Sequence, residues 1–158
     1  MKFSKGISAV VIVVGVVGLI LSVALYFIFN NLQSRVQVLI GDGSYQAQVV
    51  DTPKDREKGL TGITNLGDNS ALLMIFPSED NWKINMKGMK VSVDIVWLSK
   101  DKKVVYTVKN ASPDDFDVVY TPTSKAKYVL ELPNGSVDSM TINNKVTAIF
   151  SVNSEGAK

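Results

Sequence analysis

Neither cysteine nor histidine occurs in this chain of 158 residues. The first absence excludes disulfides and thiolate chemistry. The second removes Ser-His-Asp and Cys-His catalysis together with the common zinc sites. Also missing are a Walker A loop and a GxGxxG fingerprint. Asp114, Asp115 and Asp117 sit close together, but the glycine and terminal glutamate of an EF-hand are lacking, so a solvated acidic loop is expected there. There is no internal repeat and no low-complexity tract. With no recognisable catalytic motif, the composition leans away from an enzyme and implies no cofactor and no metal.

Excess charge of one sign is scarce too. The net charge is +2, and Lys2 and Lys5 account for it; the other cations and anions balance. A nucleic-acid partner needs a basic excess on the domain itself, so none is expected. Seven lysines against two aspartates fall within 83–109. Edge-strand protection explains most of them, and contact of a membrane-proximal basic face with anionic lipid or an envelope polymer is the functional alternative.

What the chain has in abundance is one apolar run. Residues 7–29, "ISAVVIVVGVVGLILSVALYFIF", carry no charge. As a helix, 23 residues match a hydrocarbon core of roughly 30 Å. Lys2 and Lys5 lie on one side and only Arg35 is close on the other, which places the N-terminus inside. The expectation is a cytoplasmic n-region at 1–6, an uncleaved transmembrane signal anchor at 7–29, a linker at 30–35, an extracytoplasmic domain at 36–152 and a loose tail at 153–158. The localisation that follows is the cell membrane, single-pass. A signal peptide cleaved after Ala24 is the alternative.

Beyond the run, short strands dominate. Two alternating segments flank Gly41-Asp42-Gly43 and predict a hairpin. Thr52 and Pro53 read as N-cap and first turn of a short helix closed by Gly59. "ALLMIF" (71–76) reads as a buried strand ended by Pro77, and 91–98 as a strand with one apolar face that includes Trp97. Further strands are expected at 103–108, 126–133 and 145–152. The fold class is mainly β (α+β): a compact antiparallel sheet, barrel-like, with one or two short helices.

In "NWKINMKGMKVSVDIVWL", Trp82, Met86, Lys87 and Asp94 are the candidate lining of a groove for a saccharide or peptide. Arg56 and Glu131 are further candidates. Each has a plainer reading: Arg56 as a solvated charge beside Asp55 and Glu57, and Glu131 as an exposed strand residue. If Asp94 and Glu131 shared a groove, they are suited to act as acid and base.

The order of "DREKGL", "LLMIF", "MKGMKVSVDIVWL" and "KYVLELPNG" resembles the family called domain of unknown function 192, over about 49–150. The most specific piece is Met86-Lys87-Gly88-Met89 with Asp94 five residues on. The resemblance implies a compact, mostly antiparallel β structure, often behind a signal or anchor, and implies no particular activity. The reading that results is a binding or interaction module at the cell envelope, for a saccharide, peptidoglycan or a protein. A structural subunit of an envelope complex is the alternative, followed by a carboxylate-dependent glycan hydrolase.

Overall fold

The computed structural model describes residues 4–31, 35–139 and 143–152. The chain forms two units, Met1–Gln33 and Ser34–Lys158. The expected tail at 153–158, Lys2, and the side chains of Tyr26, Phe27 and Phe29 lie outside the described residues.

The first unit contains helix α1, Ser4–Asn31. Its described side chains, residues 12–25, are all exposed. Among the described residues no helix is long and apolar enough to cross a membrane. The single-pass membrane localisation expected from residues 7–29 is corrected accordingly.

The second unit is built on a six-stranded sheet. The strands are β1 (Arg35–Ile40), β2 (Gly43–Val50), β3 (Ser70–Asp80), β4 (Ile84–Asn85), β5 (Val93–Leu98), β6 (Val104–Ala111), β7 (Val119–Tyr120) and β8 (Ala126–Pro133). The main sheet runs β1-β2-β3-β8-β5-β6, and β4 pairs with β7 in a separate ribbon. The expected hairpin at the start is present as β1–β2. The main sheet is mostly antiparallel, as expected, but it is mixed: β2 and β3 run parallel, with Gln46 opposite Ser70. Parallel neighbours need a long crossover. Residues 51–69 supply it and carry helix α2, Pro53–Lys58.

The barrel-like expectation is also corrected: the sheet is open. Residues 145–152 do not form a strand. Instead Ile149 bridges Leu39 of β1, and Thr147 bridges Lys103 just before β6. Single bridges at the two ends of the sheet bring the edges toward closure without a continuous ladder. Ala148 and Phe150 of this segment are buried against the sheet.

Both faces of the sheet are covered. One face presents Leu73, Val96, Leu98, Leu130 and Leu132, packed under Val137, Ala148 and Phe150. The other presents Leu72, Met74, Ile95, Trp97 and Val129, packed under Leu60, Ile84 and Met86. All six residues of β5 are therefore buried, not only one face as the alternation of 91–98 suggests. A strand covered on both sides selects apolar residues at nearly every position. Trp97 is fully buried, and its indole nitrogen donates to the Trp82 carbonyl at 2.8 Å.

Candidate functional site

α2 begins as the sequence predicts. Thr52 is the N-cap, its hydroxyl accepting from the Asp55 amide at 3.1 Å, and Pro53 occupies the first turn. Gly59 ends the helix at φ 49°. Replacing Thr52 by alanine is expected to lower stability by about 1 kcal/mol, read as a shift of the urea midpoint without a change of slope. The helix is short, but it aims Arg56 back at the sheet. The guanidinium donates to the carbonyls of Asp51 and Ile75, the second at 2.8 Å, and lies 5.0 Å from the Phe76 ring centroid. Arg56 is half-buried and ties the crossover to β3, so it is more than a solvated charge.

The segment 83–89 forms the opposite wall. Ile84 and Met86 are buried, while Lys83, Asn85 and Lys87 are exposed. The Lys87 amide donates to the Asn85 side chain at 3.0 Å, and the Met89 amide to the Met86 carbonyl at 3.0 Å. Gly88 turns the chain at φ 77°, where a side chain would press on Thr61 Cγ2 at 3.0 Å. The Met-Lys-Gly-Met motif is thus a tight turn that sends Met86 into the core and leaves Lys87 at the surface.

Between these walls lies a cavity of about 300 Å³. Arg56, Lys58, Thr61, Lys83, Asn85 and Lys87 surround it, and Glu131 also lines it. Glu131 pairs with Leu72 of β3 and Ile95 of β5, which fixes it on the cavity side of the sheet. It is only 3% exposed, so the exposed position expected from strand alternation is corrected. The cause is the cover over this face, which the alternation of β8 alone does not reveal. Its Oε2 is buried with no hydrogen-bond partner among the described residues. Burial pushes its carboxyl up to about 7, because an ionised oxygen there loses its water and gains no donor.

Asp94 lies on the other side. It pairs with Leu132, one residue on from Glu131, so the two carboxylates project from opposite faces of the sheet. Its Oδ1 accepts from the Asn110 amide and its Oδ2 from the Val137 amide, both at 2.8 Å. The two carboxylates do not flank a common bond, and no acid–base pair is formed between them. Trp82 stacks on Phe76 with ring centroids 4.3 Å apart, behind the cavity lining. Of the six candidate residues, Arg56, Lys87 and Glu131 meet around one cavity. Trp82 supports it through Phe76, Met86 is core, and Asp94 is remote from it.

Lys58, Lys83 and Asn85 were not singled out from the sequence. Their signal is the spacing 83, 85, 87 around buried Ile84 and Met86, an alternation with all three polar residues on one side. In the acidic loop, the Asp115 carboxylate accepts from Tyr120 Oη at 2.7 Å and the Ser112 amide at 3.0 Å. These two bonds, Tyr120 first, hold it below its ordinary value. Among the described residues no cluster of three potential metal ligands occurs.

The structure thus defines a small mixed α+β domain in which a covered sheet carries a buried carboxyl beneath a basic-rimmed cavity. The chain belongs to the DUF192 family, described as Uncharacterized ACR, whose profile matches residues 36–147. It is 37% identical over 95 residues to a UPF0127 protein of Thermococcus sibiricus, covering 59% of this chain and 58% of that protein. It is 30% identical over 102 residues to a UPF0127 protein of Thermococcus gammatolerans, covering 60% of each. The chain therefore spans less than two thirds of the length of these relatives. The fold is similar to that of a crystal structure of a protein of unknown function from Novosphingobium aromaticivorans. The TM-score is 0.67 at 22% identity, covering 73% of this chain and 83% of that one.

Proposed function

We propose that the domain is a binding module for a small polar ligand, and that its site is the cavity over Glu131. The observation that carries this reading is Glu131 itself: a buried carboxyl, one oxygen of it without a partner, lining a cavity. Buried polar groups are nearly always paired, and an unpaired one costs several kcal/mol if ionised. A ligand that reaches the carboxyl offsets that cost. The volume of about 300 Å³ lies at the lower end of small-molecule sites and suits a ligand of monosaccharide size. Phe76 adds an apolar wall beside the polar rim. A glycan hydrolase built on Asp94 and Glu131 is not favoured, because both Asp94 oxygens are engaged on the far face.

The test is a two-dimensional NMR titration of the full chain with N-acetylglucosamine, glucuronate and triglycine. At least one of these is expected to shift amides confined to 56–61 and 83–89. Thr61→Trp, which narrows the mouth from an exposed position, is expected to abolish those shifts with little change in Tm. Shifts that map elsewhere, or that persist in a folded Thr61→Trp protein, remove the cavity as the site.

A further inference from the structure

We infer that the cavity selects a ligand bearing an anionic oxyacid group, a carboxylate or a phosphate, held between the ammonium groups of Lys58, Lys83 and Lys87 and the carboxyl of Glu131. This inference rests on the reading of the cavity as a binding site. Four cations surround it, Arg56, Lys58, Lys83 and Lys87, against Glu57 at the rim and Glu131 within. The Arg56 Nη1 is committed to two backbone carbonyls. The three lysine ammonium groups engage no described hydrogen bond or ion pair; the described ion pair is Lys109 with Asp138, elsewhere. Their donors are therefore available to a ligand.

The sign of the field decides between ligand classes. A cationic ligand gains Glu131 but meets four like charges that line the same cavity, where repulsion outlasts screening with a Debye length of about 8 Å. A neutral sugar uses neither the lysines' charge nor the full strength of a carboxyl donor. An oxyanion uses both, since hydrogen bonds with an ionised partner are about twice as strong as neutral ones.

Glu131 then acts as a donor, its proton bridging to the ligand oxygen. The neighbouring strands contribute no competing titratable group: Leu72 and Met74 come from β3, and Ile95 from β5. The titratable and charged groups facing it are Arg56, Glu57 and Lys58 from α2, and Lys83 and Lys87 from the opposite wall. An ionised Glu131 and a bound anion exclude each other, so binding above neutral pH takes up a proton.

The experiment is calorimetry on the full chain with glucuronate, glucose 6-phosphate and glucose, at pH 6 and pH 8. One or both acids are expected to bind at least tenfold more tightly than glucose at pH 6, a difference of about 1.4 kcal/mol. The acid that binds identifies the oxyacid. Glucuronate affinity is expected to fall about tenfold from pH 6 to pH 8, for one proton titrating near 7. Glu131→Gln, whose amide still donates, is expected to keep the preference for acids and lose the pH dependence. The triple variant Lys58→Ala, Lys83→Ala, Lys87→Ala, all exposed positions, is expected to lose the preference for acids with an unchanged Tm. Glucose binding as tightly as the acids overturns the inference, as does a pH dependence that survives in Glu131→Gln. If glucose binds at the cavity and neither acid does, the cavity reading stands and the anion inference falls. If no ligand shifts the cavity amides, both fall.

Discussion

Asp94→Ala is expected to destabilise the domain by roughly 3–5 kcal/mol, since hydrogen bonds to a charged acceptor contribute about 1.5–3 kcal/mol each. Asp94 is 1% exposed and accepts two backbone amides, from Asn110 and Val137. Those amides belong to different elements. Asn110 lies in β6, at φ 50°, where the β5–β6 register slips between Val93 and Ile95. Val137 lies in the short helix α3, Ser136–Ser139, which follows β8. One carboxylate thus fastens the bulge of an edge strand and the turn that covers the first face of the sheet. Alanine leaves both amides without an acceptor in a dry interior. Asp94→Asn keeps one acceptor oxygen and presents an N–H to the other amide, so a loss of similar sign and smaller size is expected. Urea unfolding measures the total. Amide exchange at Asn110 and Val137 localises it, and a loss under about 1 kcal/mol with unchanged exchange at both removes this role. Ligand shifts at the Glu131 cavity are expected to persist in the folded fraction, because Asp94 faces away from it.

Glu131→Gln is expected to reverse a pH-dependent loss of stability of roughly 3 kcal/mol, the equivalent of a shift from 4.5 to about 7 at 1.36 kcal/mol per unit. The sign follows from proton binding. Between pH 4.5 and 7 the unfolded chain has released the Glu131 proton and the folded chain has kept it. The folded state binds more protons there, so stability falls as pH rises through that window and levels off above it. Asp115, whose carboxyl is held low, acts in the opposite sense and only at more acidic pH. Glutamine removes the titrating group while keeping its shape. The variant is expected to match the native chain near pH 5 and to exceed it near pH 8. Urea midpoints at the two pH values check this. Parallel curves for the two proteins exclude an unpaired buried carboxyl at this position.

Much of the β domain was legible along the chain. The hairpin around Gly41, the Thr52-Pro53 helix start, and the strand at 126–133 are set by local geometry: alternation, capping and turn residues. The family was legible too, in Met86-Lys87-Gly88-Met89 and in "YVLELPNG". The end of β3 was not. Pro77 suggests a stop, yet the strand continues to Asp80. Its ladder to β8 is irregular between Ile75 and Asp80, and the proline sits in that gap, where no ladder donor is needed. The span at 7–29 shows the reverse error, because composition identifies an apolar helix and not what surrounds it.

The sequence by itself determined the six strands of the main sheet to within a few residues, where the crossover helix starts, and that this chain carries no histidine or cysteine chemistry. Those properties depend on neighbours a few residues apart. Only the tertiary structure decided that Asp94 and Glu131 face opposite ways, that one is fully hydrogen-bonded and the other is not, and that Arg56 and Lys87 meet beside Glu131. Each of these depends on strand order and register. β8 lies between β3 and β5, and the parallel step from β2 to β3 swings α2 over the same face as the turn at Gly88. A strand's period of two assigns its residues to two sides, but what covers each side is set by segments distant in sequence.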